Sequence, residues 1–304
     1  MPPLSGLRSP YEEVSGLLGF GRTLDKIRLH AEGKLPEDYL PMLGMPNPYT
    51  LDGKSCRLLG ITYEELIAEV LKGGSDEEVL AWAFTHGRKP SDLEIEVSNA
   101  FSMKLGWRDE TTPYLRKMVA EAGFPVDEVL TFADYIDRDE GRSPRFGPDP
   151  SVPAGEVKAT AIIPGLRSPY EKVGGLVHFG RMIDKIRLHR SGALPDAWAG
   201  SKGVPASFDG ATCRFLGLDY AALEAEVLSA DKSDEDLLAW AFATGRHPSK
   251  LEMMAWNPYL SKRGWRDRFA ERVEIRLKES HMPNHAALTM FDYIDLDEGR
   301  PSRF

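Results

Sequence analysis

The amino-acid sequence predicts a mainly α-helical chain of two homologous units, each of five to six short helices, packed together as an intramolecular pseudo-dimer. Three observations predict it: the chain repeats itself, helix-start signals recur through both copies, and strand signals are weak. The repeat is direct. LRSPYEEVSGLLGFGRTLDKIRLH at 7–30 returns at 166–189 as LRSPYEKVGGLVHFGRMIDKIRLH, with 18 of 24 positions identical. Asp52-Gly53 and Cys56 return as Asp209-Gly210 and Cys213, and Ser75-Asp76 and Trp82 as Ser233-Asp234 and Trp240. Gly106-Trp107-Arg108-Asp109 returns as Gly264-Trp265-Arg266-Asp267, and DYIDRDEGR at 134–142 as DYIDLDEGR at 292–300. Self-similarity at a near-constant offset marks a duplicated structural unit, and about 140 residues is an ordinary domain size. The expected units are 1–146 and 166–304, with the Pro/Gly-rich stretch 147–165 as linker. A fused duplicate can reproduce the two-fold interface that most homodimers use, which is the reason for expecting the halves to partner each other.

The elements follow from local signals. Ser9-Pro10-Tyr11-Glu12 has an N-cap serine, a proline at the first helical position and a glutamate three residues after the cap, and Ser168-Pro169-Tyr170-Glu171 repeats it. Thr62 with Glu65, Ser75 with Glu78, Ser91 with Glu94 and Ser249 with Glu252 are further capping boxes, and Thr112-Pro113 opens another helix. Gly33, Gly73-Gly74, Gly87, Gly106 and Gly123 follow apolar-periodic runs, as helix-stopping glycines do. The best strand candidate is Cys56-Arg57-Leu58-Leu59 after an Asp52-Gly53 turn, and it is too short to build a sheet.

Composition excludes several function classes. The 304 residues carry 38 Lys plus Arg against 47 Asp plus Glu, a net charge of −9, with 42% hydrophobic and 28% charged residues. That is globular composition. The negative balance argues against a nucleic-acid partner, and no apolar run reaches the ~20 residues of a membrane span. MPPLSGLRSP at the N-terminus lacks the apolar core of a secretion signal. Two cysteines make no disulfide framework, so a cytoplasmic protein is expected. Both read as small buried hydrophobes. The acidic run Asp134, Asp137, Asp139, Glu140, Gly141 fails the EF-hand spacing, and Pro283 interrupts His281 and His285, so no metal is predicted. Neither common phosphate-cradling glycine loop, nor Gly-x-Ser-x-Gly, nor His-Glu-x-x-His is present, and no cofactor is predicted.

The segment 20–31 carries the most information. On a helical wheel Phe20, Leu24, Ile27 and Ala31 form an apolar stripe, with Arg22, Asp25, Lys26 and Leu29 opposite. Between the copies the apolar side drifts, Leu24 to Ile183 and Thr23 to Met182. The polar residues Arg22, Asp25, Lys26, Arg28 and His30 recur unchanged as Arg181, Asp184, Lys185, Arg187 and His189. A merely solvated face should drift at least as fast as a core, so something presses on this one. A structural ion network, the interface between the copies, and a pocket in which Arg and Lys hold an anion are the three readings. A second constellation, Arg88, Glu94, Asn99 and Trp107 with its copy Arg246, Glu252, Asn257 and Trp265, reads foremost as tryptophan plugs in the core. It also allows a ligand wall of Trp107, Trp265, Asn99 and Asn257.

The run LRSPYEKVGGLVHFGRMIDKIRLH, then FDG with Cys213 and FLG, SDED with Trp240, KRGWRD and DYIDLDEGR, resembles a bacterial family called domain of unknown function 5069. The likeness covers nearly all of each copy. It implies a tandem, mainly helical bacterial protein and offers no catalytic residue to carry over. The family often has His or an aromatic where His178 stands, and Gly19 of the first copy departs from that.

The leading sequence-based expectation is binding of a small anionic ligand through Arg22, Asp25, Lys26, Arg28, Arg181, Asp184, Lys185 and Arg187. His178, His189 and Asp184 are the candidates for catalysis if there is a reaction. The alternative is a non-catalytic interaction or scaffold protein in which these charges pair internally. Whether the chain is an enzyme stays open.

Overall fold

The computed structural model describes residues 4–153 and 157–304. Residues 1–3 and 154–156, the latter inside the stretch read as linker, lie outside the described residues. The chain divides into two compact units, Met1–Asp149 and Pro150–Phe304. Both are mainly helical, as the sequence predicts.

Unit 1 opens with a short antiparallel hairpin, β1 (Glu13–Val14) and β2 (Leu17–Leu18). Then come α1 (Phe20–Ala31), a 3₁₀ segment (Glu37–Met42), α2 (Leu51–Leu59), α3 (Tyr63–Val70), α4 (Asp76–His86), α5 (Asp92–Lys104), α6 (Thr112–Glu121) and α7 (Phe132–Asp139). Unit 2 repeats the order with β3 (Lys172–Val173), β4 (Leu176–Val177), α8 (Phe179–Arg190), α9 (Asp196–Ala199), α10 (Phe208–Leu216) and α11 (Tyr220–Ser229). It ends with α12 (Asp234–Thr244), α13 (Lys250–Ser261), α14 (Ala270–Glu279) and α15 (Met290–Asp297). Among the described residues each unit has more helices than the five to six expected.

The capping boxes at Thr62, Ser75, Ser91 and Ser249 form as expected, each hydroxyl accepting the N3 amide while the N3 glutamate accepts the cap's own N–H. Two expectations fail for physical reasons. Ser9-Pro10-Tyr11-Glu12 closes a single turn, with Glu12 N–H donating to Ser9 O at 3.1 Å, and no helix follows. The chain enters β1 instead, and Ser15-Gly16 forms a two-residue turn with both φ positive, the geometry that suits a tight hairpin. The segment 56–59 is not a strand but the last turns of α2. Thr50 caps that helix and Asp52 and Gly53 lie in its first turn. Glycine stands there because a Cβ would come within 2.6 Å of the carbonyl oxygens of Met45 and Asn47.

The main core of unit 1 joins the hairpin (Val14, Leu17) to α1 (Phe20, Leu24, Ile27), α2 (Leu59), α3 (Leu66, Val70) and α4 (Val79, Leu80, Ala83). A second cluster holds α6 to α7, with Leu115 and Val119 of α6 and Val129 of the connecting loop packed against Phe132 and Tyr135 of α7. Each such aliphatic side chain contributes about 1.5–3 kcal/mol on burial. Part of 147–165 lies on the units. Trp107 donates its indole N–H to Asp149 at 3.1 Å. Thr160 and Ala161 donate to Asp297 O at 2.8 and 3.2 Å, and Ile163 is buried with Leu166 and Leu194.

Candidate functional site

Helix α1 is buried on both sides. Leu24 sits in the main core, and Leu29, on the opposite face, packs with Leu7 and Leu35. Ala31, expected in the apolar stripe, is exposed. Arg22, Asp25 and Lys26 are 4%, 7% and 9% exposed, and Arg181, Asp184 and Lys185 are 3%, 7% and 4%. Of the face that stayed constant through duplication, these six residues are therefore interior, pressed on by the rest of their own unit, while Arg28 and Arg187 are half-buried and His30 and His189 exposed.

Each charge on that face has a partner. Arg22 grips Glu140 with both Nη atoms, Nη1 lying 3.0 Å from Oε2, and Nη1 also donates to Arg8 O at 2.6 Å. Arg142 and the Tyr39 hydroxyl, at 2.8 Å, complete the shell around Glu140. Burial pushes Glu140 up, but these hydrogen bonds and the Arg22 charge outweigh it and leave the carboxyl below its usual range. Arg8 clamps Asp25 at 2.8 and 2.7 Å and reaches Asp76 at 2.5 Å, while Arg28 meets Asp76 at 2.6 Å. Unit 2 reproduces the set. Arg181 meets Glu298 at 2.8 Å, Arg300 meets Glu298 at 2.5 Å, Arg167 meets Asp184 at 2.7 Å and Asp234 at 2.6 Å, and Arg187 meets Asp234 at 3.0 Å. The indole N–H of Trp198, at 2.6 Å from Glu298, takes the place of the Tyr39 hydroxyl.

Deepest in each unit is a Lys–Asp pair. Lys26 Nζ lies 2.6 Å from Asp52, whose carboxylate also accepts from Gly44 N–H at 3.0 Å and from the Thr23 hydroxyl at 2.9 Å. Lys185 Nζ lies 2.5 and 2.6 Å from the two oxygens of Asp209, which accepts from Gly203 N–H at 3.1 Å. Burial lowers both ammonium groups below the ordinary lysine range, and the facing carboxylates offset part of this. Burial pushes Asp209 up, yet Lys185 and His178 outweigh it and hold the carboxyl well below the usual range.

The copies differ at one point of this centre. Gly19 precedes α1 with φ 73°, a left-handed backbone that glycine adopts freely. His178 holds the same conformation, φ 69°, before α8. Its Nε2 lies 2.8 Å from Asp209 Oδ1, in the role that Thr23 fills in unit 1, and position 182 is Met. The hydrogen bond to the carboxylate persists while its donor moves from one side chain to another. Burial lowers the imidazole to about 4.

The remaining candidates are placed elsewhere. Asn99 pins the hairpin, accepting from Leu18 N–H at 3.0 Å and donating to Gly16 O at 2.7 Å. Asn257 does the same for Val177 and Gly175 at 3.2 and 2.8 Å. Trp107 and Trp265 are buried, with the Arg108 and Arg266 guanidinium groups 4.4 and 4.6 Å from their ring centroids. Asn99 and Asn257 thus bond to the hairpins, and Trp107 and Trp265 lie against arginine. His30 and His189 are exposed in the last turns of α1 and α8, whereas the Lys–Asp pairs are buried. Burial raises Cys56 and Cys213 to about 12, far from a reactive thiolate. Among the described residues no group of three or more His, Cys, Asp or Glu is placed to hold a metal ion, and no helix is long and apolar enough to cross a membrane.

Sequence reasoning named the cations and missed most of their partners. Helical spacing alone would pair Asp25 with Arg22 or Arg28, one turn away. Its main partner is Arg8, with Arg28 no nearer than 4.0 Å. Asp52, Glu140 and Arg8 carried a usable signal, since each recurs unchanged as Asp209, Glu298 and Arg167.

Comparison with known proteins adds one finding. The family described as Domain of unknown function (DUF5069) matches twice, over residues 5–142 and 163–300. No curated protein and no solved structure matches the chain. Covering most of both units in register with the internal repeat, the match shows that the chain belongs to this family, as a tandem member.

Proposed function

We propose that this chain is a non-catalytic interaction or scaffold protein whose repeated charged helix is an internal brace in each unit. One observation carries the reading: the charges of α1 and α8 are balanced inside their own units. In unit 1, Arg8, Arg22, Lys26, Arg28 and Arg142 face Asp25, Asp52, Asp76, Asp137 and Glu140, five cations against five carboxylates. Unit 2 repeats the balance with Arg167, Arg181, Lys185, Arg187 and Arg300 against Asp184, Asp209, Asp234, Asp295 and Glu298. An anion-binding pocket needs donors with capacity to spare and a surplus of positive charge. Here Arg22, Lys26, Arg181 and Lys185 are buried, the other cations are half-buried, and all are already engaged with carboxylates.

Native mass spectrometry of the purified chain, beside Arg181→Ala and Lys185→Ala, tests the reading. The expected result is a bare mass for the parent and a lowered melting temperature for both variants. A co-purifying small anion that is lost in these variants, while their melting temperatures hold, would replace this reading with the anionic-ligand one.

A further inference from the structure

We propose that unit 2, and not unit 1, binds one internal water molecule at Nδ1 of His178, held as the outer member of a hydrogen-bonded chain that runs through the imidazole to Asp209 and Lys185. The inference starts from an orphaned atom. His178 is 1% exposed, and no protein group reaches its Nδ1, which is itself buried. Buried polar nitrogens are almost always satisfied, by protein or by ordered water.

The neighbouring groups fix what kind of partner fits. Asp209, an acceptor held ionised by Lys185, faces Nε2 at 2.8 Å, so Nε2 carries the proton and donates. Nδ1 is then an unprotonated acceptor and calls for a donor. Phe208 and Phe291 flank the ring with centroids 5.5 and 6.0 Å away, walls that disfavour a charged occupant. A small neutral donor such as water is what remains.

The backbone points the same way. His178 sits at φ 69°, where a side chain is disfavoured and where unit 1 has glycine. Unit 1 supplies the equivalent hydrogen bond to its carboxylate from Thr23 and has no imidazole at this place. Unit 2 accepts the strained residue, and with it an acceptor that only a further donor can fill. This inference does not depend on the proposed function.

The test uses the full chain and the variant His178→Gly with Met182→Thr, which restores the arrangement that unit 1 folds with. Long-range nitrogen–proton correlation spectra of the parent should show His178 as the Nε2–H tautomer, with Nδ1 shifted as a hydrogen-bonded acceptor. Oxygen-17 relaxation dispersion should count one fewer long-resident water in the variant. A bare Nδ1 signal, an Nδ1–H tautomer, or an unchanged water count would each overturn the proposal.

Discussion

Single residues carry the difference between the two copies. The exchange of Gly19 and Thr23 for His178 and Met182 keeps the hydrogen bond to the central carboxylate and adds an ionisable group to unit 2 alone. Its pH consequence has a definite sign. Burial lowers the folded imidazole to about 4 from 6.5, with Asp209 opposing that shift and Lys185 and Arg181 adding to it. The folded state therefore binds the proton less tightly than the unfolded chain. The stability this provides is complete above about pH 6.5 and is lost as pH falls toward about 4, on the order of 3 kcal/mol across that window. The urea midpoint of the parent should fall across this range more steeply than that of His178→Gly with Met182→Thr. Parallel pH dependences would mean that His178 does not titrate as described. The charged face itself was legible at this scale because its polar residues stayed fixed while apolar positions of the same helix drifted. Its partners were not, because Glu140 lies 118 residues from Arg22 and Arg8 lies 17 from Asp25, separations that no helical period reveals.

Elements were legible where their signals are local. A capping box is settled within four residues, and those at Thr62, Ser75, Ser91 and Ser249 form as read. Where a distant contact decides, local reading misleads. The glycine of α2 looks like a turn in sequence, yet it sits inside a helix to admit the loop carbonyls of Met45 and Asn47. The Ser9 box has its hydroxyl drawn away to Asp137, at 2.7 Å, across most of the unit. The hairpins escaped notice because two-residue strands leave no alternation to detect. They hold their place through Asn99 and Asn257 on α5 and α13. Asn99→Ala removes two hydrogen bonds to the hairpin and should cost about 1–3 kcal/mol, with faster amide exchange at Leu18. Unchanged exchange there would show that the hairpin is held by its apolar residues alone.

At the scale of the whole molecule, duplication has preserved a circuit of charges as well as a core. Arg22 with Glu140 and Arg181 with Glu298 recur with the same bidentate geometry, and each is further enclosed by a second arginine and an aromatic donor. Removing one partner of such a buried pair leaves the other charge without compensation and is expected to cost about 3–5 kcal/mol. Because these pairs are desolvated, their contribution should respond little to added salt.

The most direct measurement is a double-mutant cycle on Arg181 and Glu298 in the full chain, with Arg181→Met, Glu298→Gln and the pair of changes together followed by urea unfolding. The brace account expects each single variant to lose several kcal/mol and the double variant to lose clearly less than their sum, because neither charge is then left alone. Single variants as stable as the parent would contradict it, since these charges would then serve something other than the fold.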